Sequence, residues 1–134
     1  MIKNFYGNPE AVATLTEMLA TERIPQTILL SGPGGIGKAT LVRRFAAVLL
    51  DANASDLAKI EQDDLSQAHN VELIAEREKL ASDKRSEDPL KFASHPDFIS
   101  FAPDGPLRQV SIQQIRLLKD QAQLLHRGAN AVFF

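Results

Sequence analysis

The stretch SGPGGIGKAT, Ser31 to Thr40, constrains this chain more than any other. Four glycines fall between positions 32 and 37 and let the backbone turn so that several N–H groups point inward. The apolar run before the stretch and the periodic apolar residues after it predict a strand, a loop and a helix in that order. That context predicts a phosphate cradle, because helix N-terminal donors and the helix dipole favour an anion. Lys38 supplies the cation for the outer phosphates. The candidate nucleotide-binding residues are Gly32, Pro33, Gly34, Gly35, Ile36, Gly37, Lys38, Ala39 and Thr40.

One position departs from the usual pattern. A Ser or Thr normally follows the lysine, and its hydroxyl ligates Mg²⁺ between the outer phosphates. Ala39 stands there instead, and Thr40 comes one place late. That shift moves the hydroxyl by about 100° around the helix and about 1.5 Å along it. The expected ligand is ATP, with Mg²⁺ weakly held and hydrolysis impaired by Ala39.

The rest of the chain reads as α/β. Asn8-Pro9 predicts a helix start, and Val12, Leu15, Met18 and Leu19 recur at helical spacing up to a break at Ile24-Pro25. QTILLS predicts a buried strand over Ile28 to Ser31, and Leu41, Phe45, Val48 and Leu49 predict the helix after the loop. HPDFISFAP predicts a second strand ended by Pro103. Ser111 and Gln114 match a capping box, with Ile112, Ile115, Leu118, Ala122 and Leu125 as the buried stripe and Gly128 as the stop. AVFF predicts a third strand. Helices between short apolar strands predict a parallel sheet flanked by helices. In such a sheet a second apolar strand normally ends in an acidic residue that organises Mg²⁺ and water, and AVFF has the look of that strand's body. None follows AVFF, so the 134 residues are expected to be the N-terminal part of a longer protein.

Residues 51–94 differ in character. They hold 17 of the 32 charged residues, 11 acidic and 6 basic, while the whole chain carries −2, so the remainder sums to +3. The pattern predicts a charged helical insertion on the edge of the fold, with Leu65, Val71, Leu73, Ile74 and Leu80 as a weak apolar face. The domain reading is one partial P-loop domain over 1–134 with this insertion. A hydrophobic content of 44% allows a packed core. The slightly negative net charge argues against an overall electrostatic grip on nucleic acid. The absence of cysteine excludes disulfides and thiolate metal sites and suits a reducing compartment. No apolar run approaches the roughly 18 residues of a membrane span.

IPQTILLSGPGGIGKATLVRRFAAVLL resembles the opening of bacterial clamp-loader ATPase modules. HPDFISFAPDGPLRQVSIQQIRLLKDQAQLLHRGANAVFF is similar to the delta-prime family of DNA polymerase III. His95, Pro96, Asp97, Ile112, Ile115, Arg116, Arg127 and Gly128 carry that likeness. The resemblance implies an AAA+ module in a complex that loads the sliding clamp onto primed DNA with ATP. It implies a scaffold subunit with weak or no hydrolysis, partnered by other clamp-loader subunits; the expected compartment, from the lack of an apolar span or secretory signal, is the cytoplasm. Family members often carry a four-cysteine zinc module after the loop helix; this chain has no Cys, so no zinc is carried over. The alternative is an active AAA+ or other P-loop ATPase or kinase outside replication, and a third reading is a stand-alone nucleotide sensor.

The remaining candidates have simpler readings. His95 beside Asp97 suggests a catalytic pair, but a turn before a strand accounts for both. His69 and His126 lack metal-ligand spacing. Arg43 and Arg44 are expected on a solvated face. Arg108, Arg116, Lys119 and Arg127 form a scattered phosphate-tracking candidate.

Overall fold

The structure, a computed structural model, describes residues 2–124 and 130–134. Two compact units divide the chain, Met1–Leu57 and Ala58–Phe134. Among the described residues there are six helices and three strands.

In the first unit, helix α1 (Pro9–Ala20) begins where Asn8-Pro9 predicts it. The Asn8 side chain accepts from the Ala11 amide at 3.1 Å, and proline takes the first helical position. Helix α2 (Lys38–Leu49) packs on α1 through a core of Ile2, Leu15, Leu41 and Phe45, with Val12, Met18 and Leu19 against it. Both helices end on a residue in the left-handed region. After α1 it is Glu22, with the Arg23 amide donating to the Met18 carbonyl at 3.1 Å; after α2 it is Asp51, with Ala52 donating to Ala47 at 2.9 Å. These reversals stop the helices, so α1 ends ahead of Ile24-Pro25.

The expected strand at Ile28–Ser31 does not form. Among the described residues this segment pairs with no other strand. Ile28 and Leu30 turn to the core, whereas Leu29 is 88% exposed. The alternation suits a strand, but a strand also needs a neighbour to complete its backbone hydrogen bonds, and the ladder lies elsewhere in the sequence.

That ladder belongs to the second unit. Strands β1 (Phe92–His95), β2 (Phe98–Ser100) and β3 (Val132–Phe133) form a sheet in the order β1-β2-β3. The sheet is mixed, which corrects the all-parallel expectation. β1 and β2 pair antiparallel with His95 opposite Phe98, because only Pro96 and Asp97 separate them and so short a link can only reverse the chain. β2 and β3 pair parallel, with Phe98 opposite Val132 and Ile99 opposite Phe133, as AVFF predicts. The Phe101 amide extends this pairing to the Phe134 carbonyl at 2.7 Å.

The charged region contains α3 (Ala54–Gln62), α4 (Ala68–Glu78) and α5 (Ser82–Glu87), and its last residues form β1 rather than helix. Leu65 and Ile74 pack on Leu90, Phe92 and Ala102, while Val71, Leu73 and Leu80 stay exposed. Its charges are not all solvated. Buried Asp63 accepts from the Ser94 amide at 2.9 Å and the Ser94 hydroxyl at 2.6 Å. Arg77 donates to both Asp104 oxygens at 3.0 and 2.6 Å and to the Asp88 carbonyl at 2.6 Å.

Helix α6 (Ile112–Leu124) starts with the expected capping box. The Ser111 amide donates to Gln114 Oε1 at 2.8 Å, and the Gln114 amide to Ser111 Oγ at 3.2 Å. Its buried stripe differs from expectation. Ile112 and Ile115 are exposed, at 57% and 43%, and Ala122 is exposed too; Leu118 is half-buried. Gln114 is the fully buried residue, donating through Nε2 to the Leu90 and Ala102 carbonyls at 3.0 and 2.7 Å. The amide fills a polar slot between two backbone segments, and that contact sets which side of the helix faces in. Leu125 and Gly128 lie outside the described residues.

Candidate functional site

The segment from Gly32 to Gly37 is a loop of turns and bends, and α2 begins at Lys38. Between Gly34 and Lys38, φ is positive only at Gly35 (79°) and Gly37 (90°), so its sign alternates residue by residue. Such alternation turns successive N–H groups to one side and forms an anion-binding concavity. Among the described residues, the amides of residues 34–38 donate to no backbone carbonyl. The first bond into the helix runs from the Leu41 amide to the Gly37 carbonyl at 2.9 Å. Unpaired donors and a helix start therefore coincide, as an anion site requires.

Lys38 lies over the same loop. Its Nζ donates to the Gly32 carbonyl at 2.7 Å and to the Pro33 carbonyl at 2.6 Å. An ammonium has three donors, so one remains after these two bonds, together with the full charge. Residues 31–36 are exposed, and Gly37 to Thr40 half-buried, so the loop is open to a ligand.

The chemistry around position 39 is incomplete for metal-dependent hydrolysis. Ala39 offers a methyl group. Thr40 Oγ1 lies 3.4 Å from Arg43 Nη2, which turns the displaced hydroxyl along its own helix rather than to the loop. Arg43 is buried and Arg44 half-buried, which corrects the solvated-face expectation for this pair.

The other candidates separate. His95 is buried, and its Nδ1 accepts from the Asp97 amide at 3.0 Å. That bond closes the β1–β2 turn and uses the backbone of Asp97. His69 Nε2 lies 3.2 Å from the Gln62 carbonyl, so that nitrogen is the donor. Arg108, Arg116 and Lys119 are exposed; His126 and Arg127 fall outside the described residues.

Sequence reasoning missed the Arg77–Asp104 pair. Burial works to raise the Asp104 carboxyl, but hydrogen bonds from Arg77 and the Leu90 amide, with the charges of Arg77 and Arg85, hold it below its ordinary value. The hydrogen bond to Asp104 raises Arg77 further. Both groups stay charged, and the pair ties α4 to the loop after β2. No spacing rule marks such a partner 27 residues away. A cleft of about 250 Å³ is lined by Asp63, His69, Asn70 and Lys91 among others. Asp63 is held by Ser94, and Asn70 Nδ2 by the Gln62 and Asp64 carbonyls, so these groups brace the wall of the cleft.

No protein-family model matches this chain, and no curated protein or solved structure is significantly similar to it.

Proposed function

We propose that this chain is a nucleotide-binding subunit of a clamp-loader assembly, built on a P-loop module of the AAA+ type. It binds ATP and acts as a scaffold with little or no hydrolysis of its own. The observation that carries the reading is the loop, where alternating φ and unpaired amides from Gly34 to Lys38 meet the ammonium of Lys38 at a helix start. The replication assignment is drawn from the sequence likeness of the segments around His95-Pro96-Asp97 and Ile112 to Arg116. In this reading the partners are other clamp-loader subunits, with the sliding clamp and primed DNA reached through the complex. The compartment is the cytoplasm; no helix among the described residues is long and apolar enough to cross a membrane.

Ala39 and the engaged Thr40 weigh against an active ATPase or kinase, because neither gives Mg²⁺ a side-chain ligand next to the lysine. A titration with a fluorescent ATP analogue tests the reading. The full chain is expected to bind saturably, and Lys38→Ala to weaken binding by about tenfold or more, since a charge-assisted bond to phosphate is lost. Phosphate release should stay near background with or without Mg²⁺. Vigorous Mg²⁺-dependent turnover would favour the enzyme reading, and no saturable binding would end the nucleotide reading.

A further inference from the structure

We propose that the second unit self-associates through two helix faces left uncovered by the fold, α6 of one copy lying on α4 of the other. On α6, Gln114, Leu117, Leu118 and Gln121 are buried or half-buried and lie three and four residues apart, which defines the inward stripe. Ile112, Ile115, Arg116 and Lys119 repeat that spacing on the outward side, and all four are exposed. Helices normally turn large apolar residues to a core, and uncovered apolar stripes rimmed by polar groups mark contact surfaces. Val110, also exposed, continues the patch ahead of the helix.

The same unit carries a matching face. On α4, buried Asn70 and Arg77 and half-buried Ile74 point inward, and Val71, Glu72, Ala75 and Glu76 are exposed on the other side. Small and branched apolar groups thus sit beside two carboxylates, where α6 presents two isoleucines beside Arg116 and Lys119, with Asp120 exposed at the edge of the same face. Among the described residues, Arg116 and Lys119 form no ion pair. Glu76 pairs with Lys79 at 3.1 Å, but the pair is exposed, and exchanging such a partner costs little. Because both faces belong to one unit, a two-fold axis can engage α6 on α4 twice at once, which closes a dimer.

This inference rests on surfaces away from the glycine loop and stands or falls separately from nucleotide binding. Sedimentation velocity on the full chain tests it. The expected result is a concentration-dependent dimer at about 50 mM salt that shifts to monomer at about 500 mM, as screening weakens the paired charges. Ile115→Asp should weaken the dimer by about tenfold or more, with helical content unchanged because the side chain faces water. The double change Arg116→Glu with Lys119→Glu should give monomers, and so should Glu72→Lys with Glu76→Lys. Mixing the two variants should restore a dimer, since both of its contacts are again complementary. A monomer at every concentration in low salt overturns the proposal. So does an oligomer indifferent to Ile115→Asp, or a mixture that stays monomeric.

Discussion

At the scale of single residues, Gly37 is where backbone geometry and ligand chemistry meet. Its φ of 90° is needed to turn the chain from loop into α2, and a Cβ there would stand 3.3 Å from the Phe5 ring. Gly37→Ala should therefore cost about 1–2 kcal/mol from the left-handed backbone alone, with crowding against Phe5 added. The ATP analogue should bind more weakly in the same variant, because the amides no longer converge. Gly34 provides the contrast: its φ lies outside the left-handed region, and a Cβ would meet nothing within 4 Å. Gly34→Ala should leave urea stability nearly unchanged. Equal losses in the two variants would mean that alternation of φ is not what shapes the loop. The loop and its missing hydroxyl could be read from sequence because both are local properties of ten consecutive residues. The burial of Arg43 could not, since nothing in its neighbours distinguishes an interior guanidinium from a solvated one.

At the scale of elements, α6 shows how far pattern reading reaches. Its start was legible because a capping box is an exchange between residues three apart. Its orientation was not, because apolar spacing at Ile112, Ile115 and Leu118 argued for one face while Gln114 had two carbonyls waiting on another. The strand β1 was hidden for a related reason. KFASH sits at the end of a charged run, and only its two-residue turn to Phe98 marks it as half of a hairpin. Ile28–Ser31 shows the reverse, a strand-like run without a partner. The two roles of α6 can be separated by substitution. Ser111→Ala removes the cap alone and should cost about 1 kcal/mol. Gln114→Leu removes the cap's reciprocal bond and also strands the buried carbonyls of Leu90 and Ala102, which should add about 1–3 kcal/mol. Urea midpoints for the two variants measure the difference. A Gln114→Leu chain as stable as Ser111→Ala would mean that the interior amide contributes nothing beyond the cap.

At the scale of the whole molecule, each unit has its own core, and the second also depends on charge. Asp104 is 2% exposed in its side chain and is held ionised by Arg77. Its folded pKa lies below the ordinary 3.8, so as the pH falls the unfolded chain takes up this proton first. The contribution to stability is complete above that ordinary value and is lost as the pH drops through the lowered folded one. Arg77 is raised above its ordinary value and stays charged throughout, so the acid limb belongs to the carboxylate. Asp104→Asn should cost about 3–5 kcal/mol at neutral pH, because it leaves Arg77 buried without its counter-charge. The gap between the two chains should then narrow as the pH is lowered past the ordinary carboxylate value and through the lowered folded one, where the native carboxyl also becomes neutral. Urea unfolding across that range, followed by a probe in the second unit, measures both curves. If the gap stays constant down to the lowest pH, the pair is not the source of the acid sensitivity, and the hold of α4 on the loop after β2 is a matter of shape rather than charge.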